Sequence, residues 1–394
     1  MKPPAMPHPF DCRFPAHATE QRPTQMTKKT KILHLTVKRH LTSGQRKQLS
    51  SEVLSAGNLE NAEWHSLAYH TTDRKESFEK SIPFPLSLPL LRPLFAWLLL
   101  LKISKDYDAI LVRHMPFDPF TIIFARFIKN RMPVHHAKAT EELQMTAPGM
   151  RGKIAAKVES ITGRSSVRHA MAVLGVTREL GEYECELFGI DKPHFHYPNG
   201  MHPDEVGLAP DEREGSHCHV VFLCGKFSPW QGLDRLVEAV DQAREAAKGL
   251  TVHLIGQIDD EQRQMIEDLG LSDVIVAHGF LESEDYRQLL AKADVSIGSL
   301  AIDRRGMREA ALLKIREMLA AGIPVASGHP DTAIPLDFPY HKVFEPMTVD
   351  GLLDFAMAMK QESREEIRAL SMPYIEKLKS MRDLVAFLEE RRLV

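Results

Sequence analysis

The sequence predicts an α/β protein of two tandem units, each a parallel sheet enclosed by helices, and three observations carry that expectation. Its 394 residues exceed what a single hydrophobic core usually serves. Short apolar runs alternate with stretches of helical periodicity, the pattern of strand–helix–strand crossovers. A turn and then a polar run, Tyr197-Pro198-Asn199-Gly200-Met201 followed by Asp211 to Ser216, separates two such series near the middle.

Taken in order, residues 1–28 are punctuated by Pro3, Pro4, Pro7, Pro9, Pro15 and Pro23 with almost no aliphatic periodicity. They are expected to be a disordered tail, with Met26 as a second candidate start. A strand is predicted from Lys31 to Thr36, then a loop to Gly44 that opens a helix. Leu86 to Leu101 is very apolar, but Pro89, Arg92 and Pro93 leave far fewer than the roughly 20 residues a membrane-spanning helix needs, so a buried helix is expected. Strand Tyr107–Arg113, helix Phe117–Lys129, strand Pro133–His136, a helix from about residue 150 and strand Ala170–Val176 complete the first series. The second runs through strand His219–Cys224, helix Leu233–Ala247, strand Val252–Ile255, helix Glu261–Leu269, strand Val274–Ala277, helix Glu284–Ala291 and strand Asp294–Ile297. A helix at about 312–321, strand Ile323–Ser327 and an amphipathic tail from Glu365 to Arg392 follow. The expected domains are 29–205 and 206–372, with a C-terminal helix over 373–394 that packs back.

Composition narrows the function classes. At 43% hydrophobic and 26% charged residues the chain is globular rather than low-complexity. Four cysteines and no secretory signal near the start argue for a reducing cytosolic setting. Cys218 and Cys224 beside His217 and His219 read as the run into a buried strand rather than a metal site. A net charge of −3 speaks against nucleic-acid binding. The halves differ, however: residues 1–205 carry 28 Lys and Arg against 21 Asp and Glu, the remainder 22 against 32. A basic first half suits an acidic acceptor or an anionic lipid surface, and equally an ordinary solvated face.

The densest chemical signal lies between Arg308 and Val325. Gly322 and Pro324 end a helix whose N-terminus follows Glu309. Free amides at that end, from Leu313 onward, and the positive pole of the helix favour a diphosphate, and Lys314 in the first turn adds a cation. Glu317, inside the helix, suits the two hydroxyls of a ribose; Glu309 suits those of a transferred sugar.

This segment resembles the Glu-x7-Glu motif of retaining glycosyltransferases of family four, in its form followed by Ala-Ala-Gly-x-Pro-Val. Val221 to Asp234, with Gly225, Lys226, Gln231 and Gly232, is similar to that family's strand and diphosphate loop. Pro198-Asn199-Gly200-Met201 resembles its interdomain turn, and Gly256 with His278-Gly279-Phe280 its base-flanking loops. The likeness is good over 107–335 and loose over 31–106. It implies two Rossmann-like domains of GT-B type with a cleft between them, and transfer from a UDP- or GDP-sugar to a glycan or lipid-linked acceptor with retention. No cofactor or obligatory metal is implied. Among bacterial members the resemblance points to capsular or exopolysaccharide synthesis, in the cytoplasm with possible peripheral contact at the inner membrane face. Donor binding is expected at Gly44, Gly225, Lys226, Gln231, Gly256, Gly279, Phe280, Leu313, Lys314 and Glu317, and catalysis at His136, Glu309 and Lys226. Where the family carries Arg and Lys as diphosphate clamps, this chain has Lys226 and Gln231; Arg304 or Arg308 is the expected replacement for the missing charge.

Two rivals stand beside this reading. A non-catalytic nucleotide-sugar-binding protein of the same fold is suggested by Gln231. An NAD-dependent oxidoreductase would need Gly-x-Gly-x-x-Gly after a first strand, which neither Thr36–Gly44 nor Cys224–Gly232 supplies.

Overall fold

The structure, a computed structural model, describes residues 29–146 and 149–394. The expected tail over 1–28, with Cys12 and Met26, lies outside the described residues. In the first domain the strands are β1 (Thr30–Val37), β2 (Ala62–His70), β3 (Glu79–Ser81), β4 (Ala109–Arg113), β5 (Arg131–His135), β6 (Val173–Gly175) and β7 (His194–His196), in the spatial order β3-β2-β1-β4-β5-β6-β7. In the second they are β8 (Cys218–Lys226), β9 (Leu250–Gln257), β10 (Ile275–Gly279), β11 (Val295–Ile297), β12 (Val325–Ser327) and β13 (His341–Val343), ordered β10-β9-β8-β11-β12-β13. Every pairing is parallel. Both sheets reverse direction beside their first strand, between β1 and β4 and between β8 and β11. Such switch points open a crevice at the carboxyl ends of the strands.

The two faces of the first sheet bury different cores. Ile32, Ala109, Leu111, Met132 and Val134 face one side. Leu33, Leu35, Ile110 and Val112 face the other, where Ala96, Trp97 and Leu100 of the helix Arg92–Ile103 pack. The apolar stretch is therefore a core-packing helix, and no helix among the described residues is long and apolar enough to cross a membrane. The expected helix Phe117–Lys129 is corrected to one turn, Thr121–Phe124, continued by a 3-10 turn over Ala125–Phe127. Phe117 sits at φ 60°, outside the helical region, and Pro119 follows two residues on. Helix Leu233–Ala247 likewise divides into Leu233–Gln242 and Arg244–Ala247 at Ala243, whose ψ of 42° leaves the helical region.

The tail forms two helices, Arg364–Ile375 on the second domain and Lys377–Glu390 on the first. Leu378, Met381, Leu384, Val385 and Leu388 join the core of the first domain. Where the chain crosses, Met201 and Glu376 form a parallel bridge, and a Cβ on Gly200 would come within 2.7 Å of the Lys377 backbone. Beneath it, Lys377 Nζ lies 3.2 Å from Glu52 Oε1 and 3.7 Å from the centroid of the Tyr197 ring. Glu52 also receives Tyr197 Oη at 2.9 Å and Ser66 Oγ at 2.9 Å, and pairs with His34 Nδ1 at 2.8 Å.

Candidate functional site

The helix expected at 312–321 spans Leu313–Ala320 and starts at Leu312 without any side-chain cap. Its first amides are thus left for backbone, solvent or ligand. Three contacts anchor it. The buried Arg316 guanidinium forks onto Asp331 at 2.6 and 3.0 Å and also bonds the Asn199 carbonyl. Asn199 Nδ2 donates to the Ala311 carbonyl at 2.7 Å. The Pro198–Met201 turn is therefore a clamp on the Glu309–Glu317 segment.

Lys314 points into the switch point of the second sheet. Its ammonium donates to Gln231 Oε1 at 2.8 Å, lies 3.4 Å from Cys224 Sγ and sits 4.9 Å over the Phe222 ring. Burial lowers its pKa, Cys224 opposing that shift, while burial raises the Cys224 thiol. Gln231, expected to donate a neutral hydrogen bond to the ligand, uses its side-chain oxygen to accept from Lys314 and from Ser299 Oγ at 2.8 Å. Gln231 thus holds the Lys314 ammonium beside the helix start. Arg304 and Arg308 do not take that place. Arg304 forks onto Asp234 and the Pro229 carbonyl, and exposed Arg308 lines a separate cavity of about 910 Å³ with Arg235, Asp303 and Phe344. That cavity, the roomiest of those described, contains neither Glu317 nor Lys314.

Gly225 and Lys226 are exposed at the carboxyl end of β8, beside this helix start. Gly256 has φ 121°, and a Cβ there would fall 1.6 Å from the Cys224 carbonyl oxygen, where the β8–β9 register shifts. A glycine is required for that approach whatever binds nearby. Gly279 has φ 70°, and Phe280 after it is largely exposed.

Both glutamates of the spaced pair touch the first domain. Glu317 Oε1 accepts from Lys47 Nζ at 2.8 Å, on the helix Ser43–Ala56, and lines a cavity of about 290 Å³ with Tyr286 and Glu205. Gly44, on the same helix, packs where a Cβ would lie 3.5 Å from Leu313 Cδ1. Glu309 Oε1 accepts from the Glu179 amide at 2.7 Å, and Glu179 in return accepts from the Arg308 amide at 2.9 Å and pairs with Lys138 at 2.7 Å. The structure brings the Glu309–Glu317 segment, Lys314, Gln231, Gly44 and Leu313 to one interdomain seam.

His135 and His136 part ways. His135 stacks on His114 at 4.3 Å and pairs with buried Glu184 at 3.3 Å. His136 points to the opposite face, and its Nε2 accepts from Arg113 Nη1 at 2.8 Å. Burial, then Arg113, holds its pKa well below the usual histidine value. Glu142 meets Arg305 at 2.7 Å and Glu141 the Tyr183 hydroxyl at 3.3 Å. No group of three or more His, Cys, Asp or Glu among the described residues is placed to hold a metal ion. Sequence reasoning missed Lys47, Glu179, Arg316 and Arg113, whose partners lie 15 to 270 positions away. The i,i+2 parity of β4 and β5 was the only signal for Arg113.

Residues 218–334 match the family model of glycosyl transferases group 1. No curated protein sequence matches the chain. Among solved structures, a glycosyltransferase from Rickettsia africae superposes with TM-score 0.61 at 15% identity, covering 92% of this chain and 98% of that one. HepE of Anabaena in complex with UDP gives TM-score 0.61 at 15% identity, with 92% and 100% covered. The lipopolysaccharide outer core galactosyltransferase WaaB gives 0.59 at 11%, with 90% and 99% covered. At these identities the likeness establishes the fold, two Rossmann-like domains of GT-B type. The match over 218–334 gives the chain a glycosyltransferase domain and makes it a transferase.

Proposed function

We propose that this protein transfers a sugar from a nucleotide-sugar donor to an acceptor held by the first domain, with retention of anomeric configuration. The observation that carries the reading is the uncapped start of Leu313–Ala320 at the β8/β11 switch point, with the Lys314 ammonium set beside it by Gln231. Amides and ammonium together suit the leaving diphosphate, whose charge grows as the glycosidic bond breaks. Glu317 is assigned to the ribose, Glu309 to the transferred sugar, Lys226 to the diphosphate, and the loops at Gly256 and Gly279-Phe280 to the base. His136 is assigned to the acceptor-side wall. Both glutamates touch first-domain groups here, so donor entry exchanges Lys47 and the Glu179 amide for substrate hydroxyls and couples binding to domain movement. No cofactor or metal is assigned.

A role in cell-surface polysaccharide synthesis at the inner membrane face is supported by exposed Leu98, Ile122, Ile123 and Phe127, on neighbouring segments with Lys102, Arg126 and Lys129. The deciding experiment is a thermal-shift screen of UDP- and GDP-sugars, followed by assay of released nucleoside diphosphate. One donor is expected to raise the midpoint, Glu317→Ala to weaken it by about tenfold or more, and Lys226→Ala to slow turnover. Steady-state constants unchanged in both variants would overturn the site.

A further inference from the structure

The first sheet has a switch point of its own, and it is lined with cations. Lys38 directly follows β1 and Arg113 ends β4, the two strands between which the sheet reverses. Register fixes their direction. Leu35 pairs with Val112, so Arg113 lies level with Thr36 and shares a face with Lys38. Arg113 pairs with Val134, which puts His136 on that face as well. The loop carrying Glu309 packs against this same face: Ile302, Met307 and Ala310 join Ile32, Leu111 and Val134 in one core. The three residues therefore stand at the carboxyl edge of the first sheet beside the proposed transfer site.

We propose that Lys38 and Arg113 bind an anionic group, a phosphate or a carboxylate, on the glycosyl acceptor, with His136 positioning Arg113. The inference rests on the functional reading above and specifies the substrate class of its first-domain side. Two cations and a neutral imidazole share a site with Glu142, which also pairs with Arg305. Glu142 is the carboxylate whose charge reaches both cations, and it only partly offsets what burial costs them. Burial, reinforced by Arg113, pulls Lys38 down to about 8, and burial pulls Arg113 down to about 10. A ligand anion would relieve both, the arrangement expected of a binding site rather than of a structural ion pair. The hydrogen bond from Arg113 Nη1 to His136 Nε2 sets the plane of the guanidinium and leaves its other edge for a two-point contact with the anion.

The test uses the full chain and two kinds of probe. Glycerol 3-phosphate and glucuronate present the anion in solution, with glycerol as the neutral control. Phosphatidylcholine vesicles containing phosphatidic acid present it on a lipid, with pure phosphatidylcholine as the control. The expected result is binding of at least one anionic probe over its neutral counterpart, weakened about tenfold or more in Lys38→Ala and Arg113→Gln and restored in Lys38→Arg. Which arm responds identifies a soluble or a lipid-borne acceptor. No preference for any anionic probe, or affinity unchanged in both loss variants, overturns the proposal. UDP and GDP binding is read in parallel on the same proteins: nucleotide that fails to bind wild type sinks the donor assignment independently, and nucleotide binding retained in Lys38→Ala shows that the variant is folded.

Discussion

Replacing Lys377 by methionine is expected to cost the first domain about 3 kcal/mol. The lysine side chain is fully buried, and its ammonium has one carboxylate, Glu52, at 3.2 Å. Breaking a buried pair by removing one partner typically costs ~3–5 kcal/mol, because an uncompensated charge stays behind. The lower end applies because Tyr197, Ser66 and His34 still surround Glu52. Acid titration reports on how the whole cluster holds the Glu52 charge. Glu52 is held at about 2 against an ordinary 4.5, the charges of His34 and Lys377 overcoming burial. That difference, shared among His34, Lys377 and Tyr197, is worth ~3 kcal/mol at neutral pH. Since the folded pKa is depressed, this stability is present above about 4.5 and is lost as pH falls toward about 2. Lys377 moves the opposite way for a partnered lysine, its pKa lowered because burial outweighs the attraction of Glu52. The pair as a whole is therefore worth less than the Glu52 figure. For that reason the double replacement Glu52→Leu with Lys377→Met should cost clearly less than the two single changes added together. Trp64 stacks on Tyr197 at 6.2 Å and offers a local fluorescence reporter for urea unfolding. A loss under about 1 kcal/mol in Lys377→Met, or full additivity in the double variant, would refute the reasoning.

Two further outcomes are expected. Exchanging the charges, Gln231→Lys with Lys314→Gln, should retain most turnover, while Lys314→Gln alone should lower kcat/KM roughly 10–100-fold through loss of a charge-assisted hydrogen bond; equal activity of the single variant and wild type would remove Lys314 from the diphosphate site. Gly256→Ala should destabilise the second domain by about 3 kcal/mol or prevent its folding, since both its φ of 121° and the Cys224 oxygen exclude a methyl group, and an unchanged thermal midpoint would contradict that account.

Much of the architecture was legible because the strands at the centre of each sheet are continuous apolar runs, such as Val220-Val221-Phe222, and because Gly322 and Pro324 bracket the helix Leu313–Ala320. β2 was missed although its burial alternates strictly from Ala62 to His70. Its inward positions include Ser66 and His70, polar residues made acceptable by Glu52 and Glu79, so the period-2 signal is chemically masked. Strands β3, β7 and β13 have three residues each, too few to show any period. At the site, the spacing of Glu309 and Glu317 could be read along one segment. The contact between Gln231 and Lys314 could not, because its two partners stand 83 positions apart and meet only in the folded chain. Lys38, Arg113 and His136 stand at the carboxyl ends of three strands whose neighbours are decided by sheet order, which the one-dimensional pattern leaves open.

The helix Lys377–Glu390 follows the second domain in sequence yet sits in the first. On a ribosome, the apolar floor made by Ile32, Leu111 and Val134 must therefore wait until the second domain has been translated before Leu384 and Leu388 arrive to roof it. A nascent chain would carry this half-built face past the exit tunnel while the later domain is still being made. Expressing residues 29–205 alone would leave that face open permanently, with aggregation as the natural result.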